Sequence, residues 1–298
     1  MKHPKKYHGV VVPMVSPFTE KGDIDLKAAQ KITEHLVVSG TFPFIVGTTG
    51  EGSSMSNAQR IRLAEAVVGQ TSKRATVYAG IGHLCLNDSI ELAKRYFDIG
   101  VDVVVSQLPS YYALSSDEML RYYETLATSI PGPLILYNIP LTTHMSIPLK
   151  VIDELSHHPK IVGIKDSESD EKRFEEAIAL WKDREDFSHF AGTETLAVKA
   201  LLLGSDGIVP STGNIIPKAY RDLYDAAYSG DAQAATALWE KTLETSQIYL
   251  KNRTLNQSLP ALKTVMNLQG FCEEVMLPPL YSSSIEEKAL IKKQLHEN

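Results

Sequence analysis

The chain has 298 residues, of which 43% are hydrophobic and 22% charged, and its formal net charge is −6. This is the composition of an ordinary globular protein, long enough to bury a large core without metals or disulfides, as one large α/β domain or two smaller ones. The acidic balance without a basic stripe argues against nucleic acids and anionic membranes as partners, and no apolar run approaches the length of a membrane span.

Short β-branched runs alternate along the chain with stretches whose apolar residues recur at helical spacing. The predicted strands are Gly9–Val15, Phe42–Gly47, Ala75–Gly80, Val101–Ser106, Leu134–Tyr137, Ile161–Lys165, Ser188–Ala191 and Gly207–Val209. Capping boxes beginning at Ser56 and Ser115 predict helix starts, and Gly40 and Gly100 predict helix ends. Eight such βα units favour a closed (β/α)8 TIM barrel over a doubly wound open sheet.

After Pro217 the pattern changes, and no convincing strand follows. The stretches Ala234–Tyr249, Leu259–Leu268 and Ile285–Leu295 predict helices. We therefore expect a catalytic barrel over residues 1–230 and a helical extension over residues 231–298.

Polar clusters follow the predicted strands at the same end of each strand. The carboxyl ends of barrel strands form one rim, where TIM-barrel enzymes carry their reacting groups. The clusters are Gly47-Thr48-Thr49-Gly50-Glu51, Tyr137-Asn138-Ile139-Pro140, Lys165-Asp166-Ser167, Gly192-Thr193-Glu194 and Pro210-Ser211-Thr212-Gly213-Asn214.

Lys165 ends the apolar run of the sixth strand. Such a strand is buried on both faces, and desolvation of an amine at its tip favours the neutral, nucleophilic form that attacks carbonyl carbons. Taken alone, the segment is explained better by a lysine that only extends its ammonium into solvent than by a reactive one. The polar clusters on the same rim reverse that preference.

Two other strand ends suit the same chemistry. The Gly47–Gly52 loop has glycines that let backbone amides approach a small carboxylate or phosphate, although a plain turn explains it equally well. Tyr137 either packs in the core or relays protons. Beside a lysine that forms a Schiff base, a phenol can transfer the protons that the reaction requires.

Metal chemistry and export are not indicated. The histidines show no spacing of a catalytic zinc site, and Cys85 and Cys272 are far apart and match no metal-binding pattern. The charged start of the chain lacks the apolar stretch of a signal peptide. We expect a cytoplasmic protein that uses neither a metal nor another cofactor.

Three of these motifs together resemble the dihydrodipicolinate synthase / N-acetylneuraminate lyase family of class I aldolases. They are the Gly47–Glu51 loop, Tyr137-Asn138-Ile139-Pro140, and Ile161-Val162-Gly163-Ile164-Lys165-Asp166. The resemblance implies a TIM barrel with C-terminal helices, usually in a homotetramer built as a dimer of dimers. It also implies a Schiff base between Lys165 and pyruvate or another 2-oxo acid, without a cofactor.

The resemblance assigns roles to further residues. Tyr137 and Thr48 would relay protons, Thr49 would hold the carboxylate, and Tyr112 would reach across a dimer interface to complete the relay. The expected substrate-binding residues are Gly47, Thr49, Thr142, Thr143, Ser167, Gly192, Glu194, Val209 and Ser211.

One departure bears on the substrate. Synthase members carry an arginine where this chain has Thr142, and a threonine cannot supply a charged, bidentate donor to a carboxylate. The prediction is a lyase that cleaves a 4-hydroxy-2-oxo or 2-oxo-3-deoxy sugar acid to pyruvate and an aldehyde, or runs the reverse addition. The alternatives are dihydrodipicolinate synthase, a Schiff-base dehydratase, and a barrel that senses such acids without turnover.

Overall fold

Eight parallel strands close into a barrel in sequence order in the computed structural model, which describes residues 4–297. Each strand pairs with the next, and β1 closes the ring against β8. The strands are β1 Gly9–Pro13, β2 Phe42–Ile45, β3 Tyr78–Gly80, β4 Val103–Gln107, β5 Leu134–Asn138, β6 Ile161–Asp166, β7 Ser188–Ala191 and β8 Gly207–Ile208. The predicted TIM barrel with a helical C-terminal extension is confirmed.

Within residues 4–297, nine α-helices accompany the strands of the barrel. They are α1 Leu26–Val38, α2 Asn57–Thr71, α3 Leu86–Ile99, α4 Ser116–Ser129, α5 Pro140–Thr143, α6 Leu149–Leu155, α7 Glu171–Trp181, α8 Ala197–Leu203 and α9 Pro217–Tyr228. Both predicted capping boxes form, Ser56 with Gln59 and Ser115 with Glu118. Gly100 ends α3 in the left-handed conformation, which glycine adopts without a steric penalty.

The strands are apolar on both faces because each face packs against a different core. Side chains that point inward, such as Val11, Phe44, Ile135 and Val209, fill the barrel. Those that point outward pack against the surrounding helices in a larger core. The barrel is therefore filled below its mouth, and open space is left at the ends of the strands.

In the described part of the chain the barrel is followed by three further helices, α10 Ala232–Leu250, α11 Leu255–Leu268 and α12 Ile285–Glu297. Helix α11 begins four residues before its predicted start because Thr254 and Gln257 form a capping box there. None of the helices in the described part of the chain combines the length and apolar character that crossing a bilayer requires. The division into units 1–230 and 231–298 stays a prediction.

Candidate active site

Lys165 lies at the carboxyl end of β6, with its side chain in the mouth of the barrel. Its side chain is only 6% exposed, and Nζ lies 4.0 Å from the ring centroid of Tyr137 and 5.1 Å from that of Phe44. Strand register places Lys165 beside Tyr137 on β5 and Phe190 on β7. Because paired residues of adjacent parallel strands project to the same face, these side chains share the barrel interior.

Tyr137 is buried, and its hydroxyl lies 3.4 Å from the Thr48 Oγ1. Burial alone would raise the pKa of the Tyr137 phenol, but the positive charge of Lys165 and polar contacts with Thr48, Lys165 and Ser167 outweigh it and lower that pKa. The amine, the phenol and the threonine hydroxyl therefore form one connected group.

The loop that carries Thr48 begins with a strained turn. Val46 has a φ of 58°, a conformation that β-branched residues rarely adopt. Its carbonyl oxygen would lie 2.3 Å from a Cβ at Gly52 or at Gly80, so only glycine fits at either position. Backbone hydrogen bonds close the turn, from Gly52 N to Gly47 O at 3.1 Å. The strained conformation of Val46 lies at the point where the chain turns to bring Thr48 toward Lys165.

An open cavity of about 490 Å³ lies above Lys165. It is lined by most of the predicted site residues, namely Thr48, Thr49, Tyr137, Lys165, Ser167, Gly192, Glu194, Val209 and Ser211. A Cβ at Gly192 would lie 2.0 Å from the Ser167 Oγ and 2.9 Å from the Asp166 carbonyl oxygen, so a side chain there would force its neighbours to shift. Gly47 is buried at the base of the loop and is not part of the cavity wall.

One wall of the cavity comes from residues that sequence reasoning missed. Helix α10, the turn after it and the first residue of α11 contribute Leu243, Ser246, Gln247, Leu250, Lys251 and Leu255. The polar pair Ser246-Gln247 gives little sequence signal, because the polar residues Glu244 and Thr245 directly precede it in α10. The C-terminal extension therefore helps to enclose the candidate site.

The residues next to the reactive pair point outward and hold the two strands together. Asn138 and Asp166 are register partners, and the Asn138 amide donates to Asp166 Oδ1 at 2.8 Å. Arg173 on α7 donates through Nε to Asp166 Oδ2 at 2.8 Å and through Nη2 to Ile147 O at 2.8 Å. This buried network fixes the register that brings Tyr137 beside Lys165.

Arg173→Met is expected to lower the free energy of unfolding by about 3 kcal/mol, because Asp166, whose side chain is 1% exposed, loses its cation. Chemical denaturation followed by circular dichroism measures the change. Arg95→Met is the control, since its pair with Glu65 is half exposed on both sides and contributes at most about 1 kcal/mol. Equal effects of the two substitutions would contradict the role given to the network.

Glu194 lines the cavity, but its carboxylate is already engaged within the protein. Oε1 accepts hydrogen bonds from Ser211 Oγ at 2.8 Å and the Thr212 amide at 3.0 Å, and Oε2 accepts from Thr212 Oγ1 at 2.6 Å and the Tyr220 hydroxyl at 2.7 Å. Ser211 Oγ also lies 2.6 Å from the Tyr249 hydroxyl. The geometry favours a structural connection between the barrel and its helices, and substrate contact by Glu194 and Ser211 stays a prediction.

Besides Gly47, three nominated residues do not reach this cavity. Thr142 and Thr143 line a different cavity, of about 470 Å³, beside Arg60 and Gln107. The buried Thr143 hydroxyl donates to Ile139 O at 3.0 Å, because the short helix α5 turns it toward its own backbone. Tyr112 is 73% exposed on the surface of the single chain. Substrate contact by these residues stays a prediction, and for Tyr112 it requires a second subunit.

The described residues suggest no metal centre. In the range 4–297, no three histidine, cysteine, aspartate or glutamate side chains are grouped so that they could hold a metal ion. The reactive groups at the mouth are instead an amine, a phenol and hydroxyls, which suit covalent and acid–base chemistry.

Known proteins are similar to this chain in both sequence and fold. Residues 6–298 match the family model described as the dihydrodipicolinate synthetase family. A curated 4-hydroxy-tetrahydrodipicolinate synthase from Geobacter metallireducens is 30% identical over 97% of this chain and 98% of its own length. A relative of the same name from Oceanobacillus iheyensis is 32% identical over 88% of this chain and 87% of its own length.

Solved structures agree with these matches. Dihydrodipicolinate synthase from Bacteroides thetaiotaomicron superimposes with a TM-score of 0.93 at 30% identity, covering 99% of this chain and 100% of that chain. An E. coli prophage protein of the dihydrodipicolinic acid synthase family, solved in complex with pyruvate, gives a TM-score of 0.92 at 26% identity, with 98% of each chain covered. The chain therefore belongs to the dihydrodipicolinate synthetase family, as the resemblance of its motifs predicted.

Proposed function

We propose that the protein is a class I aldolase that forms a Schiff base between Lys165 and pyruvate. The observation that carries the proposal is the placement of the Lys165 Nζ 4.0 Å from the Tyr137 ring, with the Thr48 hydroxyl 3.4 Å from the phenol oxygen. A buried amine beside a proton-relaying phenol, at the rim of a TIM barrel, suits covalent catalysis on a 2-oxo acid. A lysine that served only packing would not need these neighbours.

The proposed chemistry starts when the neutral Lys165 amine attacks the 2-oxo carbon of pyruvate. The resulting carbinolamine loses water after its hydroxyl is protonated by the Tyr137 phenol, and an iminium remains. The Tyr137 phenolate left by that transfer removes a proton from the methyl carbon and gives an enamine, and the same carbon then attacks the carbonyl of an aldehyde. The alkoxide that forms takes the proton back from the Tyr137 phenol. Hydrolysis of the iminium releases the 4-hydroxy-2-oxo acid. Cleavage follows the same steps in reverse, with the iminium accepting the electron pair of the broken C–C bond.

For the second substrate, the comparisons favour the synthase reaction over the sugar-acid cleavage that the sequence led us to expect first. The curated relatives with 30% to 32% identity are named 4-hydroxy-tetrahydrodipicolinate synthase. In that reaction the aldehyde is aspartate semialdehyde, which carries a carboxylate and an ammonium group. The synthase is therefore the leading candidate on relatedness.

One structural observation favours a hydroxylated aldehyde as the second candidate. No arginine is found among the described residues that line the cavity, and Thr142 stands where synthase members carry one. The cavity wall presents hydroxyl groups instead, from Thr48, Thr49, Ser167, Ser169, Thr193 and Thr195. Such a wall offers hydrogen bonds to a polyol but no bidentate charged contact to a carboxylate.

A substrate panel separates these candidates. The protein is incubated with pyruvate and either aspartate semialdehyde or hydroxylated aldehydes, and separately with 4-hydroxy-2-oxo acids, and pyruvate consumption or release is measured. Condensation with aspartate semialdehyde at a higher kcat/KM than with any hydroxylated aldehyde establishes the synthase. The opposite ranking establishes the sugar-acid aldolase. A trapped Schiff base without turnover of any of these compounds would instead support a sensor.

Tyr112 provides a test of the subunit arrangement that the resemblance implies. Tyr112→Phe is expected to lower kcat by roughly 10²-fold, as loss of one proton relay does, although Tyr112 is exposed in the single chain. If it acts in the partner's site, mixing Tyr112→Phe with the inactive Lys165→Ala variant restores activity, because one mixed site then holds both residues. Tyr281→Phe, with 74% exposure, is the control and leaves kcat unchanged. No recovery in mixed assemblies verified by native mass spectrometry would contradict the arrangement.

A further inference from the structure

A fully buried ion pair joins the threonine loop to the C-terminal extension. Lys263 on α11 contacts the carboxylate of Glu51, and the two side chains are 1% and 0% exposed. Neither residue lines the cavity above Lys165. Removing two charges from water costs several kcal/mol for each ion unless all their polar atoms find good partners. An ion pair buried this deeply therefore needs further partners around both of its groups.

The remaining polar atoms of this ion pair bind a third segment of the chain. Glu51 Oε2 accepts a hydrogen bond from the Leu277 amide at 2.8 Å, and Lys263 Nζ donates to Val275 O at 2.9 Å. The ammonium also lies 4.5 Å from the centroid of the Phe18 ring. Burial lowers the pKa of Lys263, and the Glu51 carboxylate opposes that shift. Glu51 is thus fixed from two sides by residues of the extension.

Glu51 in turn determines the path of the loop. Its backbone is held in the left-handed conformation with a φ of 55°, which a residue other than glycine adopts only under constraint. Its amide donates to Thr48 O at 3.1 Å. The adjoining Gly50 O accepts from Ser16 Oγ at 2.6 Å. A shift of Glu51 is therefore transmitted directly to Thr48 and Thr49.

We propose that Lys263 is a positioning residue that acts through Glu51 to hold the Thr48–Thr49 loop where it binds the carboxylate of the 2-oxo acid. This inference rests on the proposed function. Lys165 is carried by β6 and is not held by the pair, so the nucleophile remains in place when the loop is released. The two parts of the site therefore respond differently to loss of the pair.

The test uses the double variant Glu51→Gln/Lys263→Met, because Lys263→Met alone leaves a buried carboxylate without its cation. The KM for pyruvate is expected to rise by about 10- to 100-fold, as a loop displaced by about 1 Å would cause. At saturating pyruvate, borohydride still traps an adduct on Lys165. Glu51→Gln alone still offers the Leu277 amide a hydrogen-bond acceptor. It is expected to raise the KM for pyruvate as well, so the proposal can be tested even if the double variant folds poorly.

Lys5→Met is the matched control. Lys5 forms an ion pair with Asp206 at 2.8 Å, with side chains 9% and 10% exposed, at the opposite end of the barrel. Its loss lowers Tm without changing KM. A wild-type KM and kcat in the folded variants of Glu51 would overturn the positioning role. Failure of the proposed function looks different, since the wild-type protein itself would then give no trapped adduct with pyruvate.

Discussion

Lys165→Ala is expected to lower turnover by about 10⁴-fold or more, as loss of a covalent nucleophile does in other enzymes. Without the Lys165 amine no iminium forms at this position, so the electron pair of the C–C bond loses its acceptor. The measurement has two parts, pyruvate release or consumption and intact mass after borohydride reduction with pyruvate. The wild-type protein gains one reduced adduct, and peptide mapping places it on Lys165. The variant gains none.

A second lysine in the cavity makes this experiment specific. Lys251 lines the same cavity but is exposed and follows α10, away from the barrel interior. Lys251→Met is therefore expected to retain the trapped adduct. Lys165→Met preserves the packing against Phe44 and Tyr137, so its circular dichroism and Tm show whether lost turnover reflects chemistry or folding. An adduct on another lysine with preserved turnover in Lys165→Met would refute the proposed nucleophile.

The barrel was predictable from the sequence because its signal is local. Each strand is a short apolar run between two helical stretches, and eight repeats leave few other topologies. The exact strand ends were not predictable. Strand β1 was expected to reach Val15 but ends at Pro13, because the Val15 amide leaves the sheet and donates to the Asn214 side chain at 3.0 Å. That partner is 199 residues away and leaves no local signal.

The same distinction applies to the site. Lys165 and Tyr137 were identifiable because each ends an apolar run, and strand register then pairs them. The partners that hold the site come from distant segments, as with Tyr249 beside Ser211 and Lys263 beside Glu51. From the sequence, Glu51 was only one of the polar residues in the loop after the second strand, since nothing near it reveals a lysine 212 residues away. The reactive groups of the site are therefore easier to predict from the sequence than the groups that position them.

Tyr137→Phe is expected to lower kcat by roughly 10²- to 10⁴-fold while leaving the trapped adduct on Lys165 detectable. The substitution removes one oxygen atom and keeps the ring that lies 4.0 Å from the Lys165 Nζ, so packing is retained. What is lost is the proton transfer that carbinolamine dehydration and enamine protonation require. Steady-state kinetics and single-turnover trapping measure the two effects separately. Normal turnover in the variant would assign the relay to another group.

The pH dependence of kcat identifies Tyr137 as the proton donor more specifically than the decrease of kcat in Tyr137→Phe does. Burial opposes the shift, but the Lys165 charge and the polar contacts around Tyr137 lower its phenol pKa, so the proton-donating form is lost at lower pH than for an ordinary tyrosine. At saturating pyruvate Lys165 is bound as the iminium, which keeps a positive charge beside the phenol, and its free amine no longer contributes to the profile of kcat. The wild-type kcat should therefore fall on the alkaline side through the pKa of Tyr137, and Tyr137→Phe should lack that fall. An alkaline limb that persists unchanged in Tyr137→Phe would show that a different acid donates the proton.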